Sequence, residues 1–145
     1  MATYNEDFYT WMMEQAQLLR ERRLSELDSE NIAEELEDMG KSQARTLGSR
    51  LERLIAHLLK WGYQPDQRQQ SEHSWRASIR NARQEIEETL SENPGLKLRL
   101  PEFFRKAYPK GVNWAIIETN LPESTFPTEC PWTLEQVLSP DFWPR

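Results

Sequence analysis

Residues 44–61, ARTLGSRLERLIAHLLKW, decide the fold. Ala44, Leu47, Leu51, Leu54, Leu58 and Trp61 recur at alternating steps of three and four, and Ile55 and Leu59 widen the stripe. That is the spacing of one apolar face on an α-helix, not the alternation of a strand. A helix from about Lys41 to Trp61 spans roughly 30 Å at 1.5 Å per residue, about the width of a small domain. Gly62 and Pro65 supply its stop signal.

Upstream, Ile32, Ala33, Leu36 and Met39 form the apolar stripe of a second helix, with Asp28 as N-cap and Leu27 placed to staple onto Ile32. The step from Met39 to Ala44 is five residues, about 140° off that stripe at roughly 100° per residue, and predicts a break or sharp kink near Gly40. A first helix is predicted from an Asn5 N-cap to about Arg22. Phe8, Trp11, Met12, Leu18 and Leu19 are its apolar positions, Gln15 a polar interruption, and Tyr4 and Tyr9 its staple.

Downstream, residues 64–73 contain no apolar position and read as a loop, after which Trp75, Ile79, Ala82, Ile86 and Leu90 resume helical spacing until Asn93, Pro94 and Gly95. Pro101 and Pro109 suit first-turn positions and predict two helices, Pro101–Ala107 and Pro109–Thr119, separate or kinked. Beyond Leu121, Pro122, Pro127, Pro131, Pro140 and Pro144 punctuate a tail that carries Phe126, Trp132, Phe142 and Trp143. So many rings are expected to pack on the helices rather than stay in water. Only a short helix, Thr133–Leu138, fits there, with Thr133 and Gln136 as its capping box. The expected architecture is all-α: one domain, 1–145, a bundle-like array of about five to seven helices with the tail 120–145 wrapped over them.

Composition narrows the function classes. The chain has 145 residues, 24 acids against 18 bases and a net charge of −6, which disfavours wholesale binding to nucleic acid or an anionic membrane. Six Trp, five Phe and four Tyr provide the large side chains a disordered chain lacks, although hydrophobic residues are only 37%. No run approaches the roughly 18 to 20 apolar residues of a membrane span, and the acidic start is unlike a signal peptide. A single cysteine, Cys130, fits a reducing compartment, so the cytoplasm is the expected location.

The pieces NEDFYTW (5–11), NIAEELEDMG (31–40) and HLLKWGYQP (57–65) continue into SW (74–75), ENPGL (92–96) and ETNLPESTFPTECPWTLEQVL (118–138). In that order and over nearly the whole length, the chain resembles the bacterial, especially cyanobacterial, "domain of unknown function 29" family. The resemblance implies a single all-helical domain of bacterial origin. It brings no assigned reaction, ligand, cofactor or catalytic residue.

Charge is unevenly spread. Residues 1–40 hold 11 acids and 3 bases, net −8; residues 41–83 hold 3 acids and 9 bases, net +6; residues 84–145 hold 10 acids and 6 bases, net −4. The simplest account is that acidic and basic surfaces complement one another at solvated edges. Three sharper candidates stand beside it. Glu34, Glu37 and Asp38 would make a metal or hydrolytic site with His57 if the second and central helices folded against each other, although no Glu-x-x-His occurs. Arg76, Arg80 and Arg83 form a basic row suited to weak nucleic-acid contact through phosphate, with Arg83 also placed to pair with Glu87. Trp132, Phe142 and Trp143 are candidates for an exposed aromatic patch that docks a protein.

Cys130 lacks a cationic neighbour in sequence to lower its thiol pKa. Phosphate loops, nucleophile elbows, CxxC and HExxH are all absent from the sequence. The favoured expectation is a non-enzymatic interaction or regulatory module without cofactor, contacting a protein partner or a second copy of itself.

Overall fold

The computed structural model describes residues 1–145 and contains helices and turns with no strand. The protein is all-α, and its internal contacts gather into two units, Met1–Ser42 and Gln43–Arg145. No helix is long and apolar enough to cross a membrane.

The first unit holds helix α1 (Phe8–Arg20), a 3-10 turn (Leu24–Glu26) and the opening turns of helix α2 (Ser29–Tyr63). Asp7, not Asn5, caps α1: its carboxylate accepts from the Thr10 amide at 3.0 Å, while Asn5 lies in the preceding turn. The helix ends at Arg20, and Arg22 takes a left-handed φ of 60° that carries the chain away. Tyr4 supplies the staple, edge-on to Phe8 at 5.4 Å and to Trp11 at 4.9 Å, whereas Tyr9 is exposed.

Trp11, Gln15 and Leu18 are the buried face of α1. Gln15, the polar interruption of the stripe, has a bonding role: its Oε1 accepts from the Asp28 amide at 2.9 Å. Asp28 in turn accepts from the Trp11 indole at 3.0 Å and from the Asn31 side chain at 2.8 Å, so one carboxylate fastens α1 to the start of α2.

On α2 the break that is one reading of Gly40 is absent, and the expected buried stripe is not buried. The helix runs on through Gly40, and Leu36 and Met39 of that stripe are 63% and 64% exposed. The reasons are linked. A shift in apolar phase demands a break only if one partner must cover both stripes, and here the stripes belong to different units.

The second unit is built on the rest of α2, packed with helix α3 (Pro65–Glu92), a 3-10 turn (Pro94–Arg99), helix α4 (Leu100–Thr119), another 3-10 turn (Glu123–Thr125) and helix α5 (Leu134–Leu138). Its largest fully buried side chains are Leu47, Leu51, Leu54, Ile55, Leu58, Leu59, Ile79, Ile86 and Val137. The α2 and α3 stripes are therefore as the spacing predicts.

Residues 65–73, expected as loop, are the first turns of α3, with Pro65 in the first turn. They lack apolar residues, so periodicity is silent there, yet Gln, Arg and Glu favour helix. Arg68 anchors the segment by donating to the Trp61 carbonyl at 3.3 Å and the Pro144 carbonyl at 3.4 Å.

Of the two readings at Pro109, separate helices are excluded, since α4 continues through it as one element. Close packing holds it together. A Cβ at Gly111 would lie 2.7 Å from Ile55 Cγ2 and 3.0 Å from the Glu52 carbonyl oxygen, so α4 approaches α2 at a distance only glycine allows. Thr133 and Gln136 form the predicted capping box on α5. Phe126 is buried against Tyr63, at 5.6 Å between centroids, and Trp143 meets Trp61 at 4.7 Å.

Candidate functional site

The acidic candidates lie apart from the histidine. Glu34, Glu37 and Asp38 are exposed and belong to the first unit, whereas His57 belongs to the second. No three His, Cys, Asp or Glu side chains gather as a metal site would need. Between Glu34 and Glu37 in the sequence, Glu35 accepts from the Tyr4 hydroxyl, and this raises the Tyr4 pKa to about 12.

His57 faces a different set of charges. Burial is the main force that lowers its pKa to about 4; Lys60 and Arg53 add to it and Glu118 opposes them. Lys60 and Arg53 reach Glu118 at 3.1 and 3.6 Å. His57 Nδ1 is buried without a hydrogen-bond partner. The imidazole is therefore neutral near pH 7, wedged beside an ion-pair cluster that ties α2 to α4.

The basic row on α3 divides into three environments. Arg76 pairs with Glu72 at 3.0 Å and lies over the rings of Trp143 (5.0 Å) and Trp61 (5.7 Å). Arg80 is exposed, while Arg83 is buried, 6% accessible. The expected Arg83–Glu87 pair is replaced by bonds to the tail: Arg83 Nε donates to the Val137 carbonyl at 2.9 Å and Nη2 to the Phe142 carbonyl at 2.8 Å. Carbonyls at the end of a short helix lack intrahelical donors, and the guanidinium fork supplies them. The sequence signal was Arg83's place between Ile79 and Ile86 at the spacing of the apolar stripe, where a charge implies a buried partner.

The aromatic candidates of the tail are only partly exposed. Trp132 and Trp143 pack against the core, and Trp132 meets Phe142 edge-on at 6.1 Å. Cys130 is half-buried, and burial raises its pKa.

The exposed apolar side chains concentrate where sequence reading placed core. Of the twelve large hydrophobics that stand exposed, nine lie in Met1–Ser42, among them Phe8, Met12, Met13, Leu36 and Met39. Tyr4 links the two helices of the unit: its ring contacts Phe8 and its hydroxyl donates to Glu35. Glu30, Glu34 and Glu37 line the other side of α2, and the unit holds 11 acids against 4 bases, net −7. The first unit thus combines uncovered apolar side chains with an excess of acid.

An all-α chain whose acidic N-terminal unit exposes most of its large apolar side chains is the class of protein that fold and surface define. The chain belongs to the family described as domain of unknown function DUF29, whose family model matches residues 3–143. No curated protein and no solved structure matches it.

Proposed function

We propose that the protein works by contact, as an interaction module whose N-terminal unit docks a basic, amphipathic segment of a protein partner. The observation that carries this reading is the concentration of exposed Phe8, Met12, Met13, Leu36 and Met39 on a unit of net charge −7. Uncovered apolar side chains of this number favour an occupant, because each removed from water adds roughly 1.5 to 3 kcal/mol. The unit's excess of carboxylates selects its charge. A second copy docking through the same face would bring two units of net −7 together, which like-charge repulsion opposes.

The test is a titration of the full chain with a synthetic Lys/Leu amphipathic helix, followed by amide NMR. Shifts confined to α1 and residues 30–40 are expected, with affinity about tenfold weaker in the Leu36→Gln, Met39→Gln double variant, which keeps every charge. Equal affinity for that variant would reduce the binding to unspecific charge attraction and overturn the proposal. A stable dimer whose interface covers Leu36 and Met39 would overturn the choice of occupant.

A further inference from the structure

A cleft of about 770 Å³ opens between α3 and the segment that follows α5. Leu90 and Leu138 give it an apolar wall, Arg80, Arg83 and Lys97 give it three cations, and Glu87 is its one acid. Its volume is in the range that holds a small organic molecule.

Arg83 makes this more than a surface dent. Arg83 as a residue is only 6% accessible, and burial lowers its pKa to about 10. Two nitrogens donate to tail carbonyls, but Nη1 is buried with no hydrogen-bond partner, and no carboxylate lies within ion-pair reach. Besides those two carbonyls, the ring of Trp143, 5.5 Å away, offsets part of the charge. A buried cation with an unused donor and no counter-ion is costly, and an anion in the adjoining cleft relieves that cost. Arg80 and Lys97, both exposed on the cleft rim and free of ion pairs, supply the charge that draws such a ligand in.

We propose that this cleft binds a small amphiphilic anion, a carboxylate on an apolar body. The carboxylate sits toward Arg80, Arg83 and Lys97, and the apolar body lies along Leu90 and Leu138. The site lies wholly within residues 80–140 and is independent of the docking face on the first unit.

The experiment uses the full chain with octanoate, its neutral analogue octanamide, and inorganic phosphate, each followed by amide NMR. Octanoate is expected to shift the amides of Ile86, Leu90 and Leu138. Affinity should fall about tenfold for octanamide and again for the Arg80→Gln, Lys97→Gln variant, whose changes are on the surface. Absence of octanoate binding, or equal binding of octanamide, would overturn the site. Phosphate binding as tight as octanoate would overturn the apolar half of the assignment. Arg83→Lys serves as the second variant: it keeps the charge but loses the fork, and unaltered octanoate affinity would show that Arg83 is no part of the site.

Discussion

Gly111 and Gly40 are both helical and predict opposite outcomes on gaining a methyl group. At Gly111 the new Cβ meets Ile55 and the Glu52 carbonyl, so Gly111→Ala should destabilise the chain by about 1 to 3 kcal/mol in a urea melt. At Gly40 nothing lies within 4 Å, and Gly40→Ala should stabilise α2 by about 0.5 to 1 kcal/mol through helix propensity alone. His57 gives a pH dependence of definite sign. Its folded pKa is about 4 against an ordinary 6.5, so the unfolded chain binds the proton more readily between those values. The stability this contributes, about 1 to 3 kcal/mol, is fully present above pH 6.5 and is lost as pH falls toward 4. Denaturant melts across that window should show a slope that His57→Gln abolishes; a slope unchanged in the variant would place its origin elsewhere.

Among the elements, α5 is the shortest helix and depends most on its ends. Thr133→Ala removes one half of the capping box and should cost about 1 kcal/mol, read as loosening of the tail carbonyls that Arg83 holds. Legibility also varied by element. The α2 stripe from Leu47 to Trp61 and the α3 stripe from Trp75 to Leu90 were plain in the sequence, because both sets face one core and periodicity reports a single buried side. The opening turns of α3 were hidden, since a helix segment that buries no apolar residue leaves no period to read. The continuity of α2 at Gly40 was hidden for the opposite reason. Two stripes out of phase look the same whether the helix breaks or the surroundings change, and only the fold distinguishes these cases. Pro109 within α4 similarly obeys packing that the local rule does not contain.

On the scale of the molecule, the two units differ in how much they bury. The second has a connected core running from Leu47 to Val137, whereas the first buries chiefly Trp11, Gln15 and Leu18. Native-state hydrogen exchange should therefore find the amides of α1 opening at lower free energy than those of Leu47–Trp61 or Ile79–Leu90. Equal protection in both would mean that the chain opens as one cooperative body. The surface readings were harder to obtain from sequence than the core. Leu36 and Met39 carry the signature of buried residues, and exposure is a property of neighbours, which no single stretch records. The Asp28 carboxylate that fastens α1 to α2 has one more consequence. Trp11 is the only tryptophan in residues 1–42, and its indole N–H is donated to that carboxylate. With the other five tryptophans changed to phenylalanine, in any background that still folds, the ultraviolet emission of this single ring becomes a label-free optical gauge. It should be blue while α1 stays fastened to the start of α2 and shift to the red as the two part and water reaches the indole.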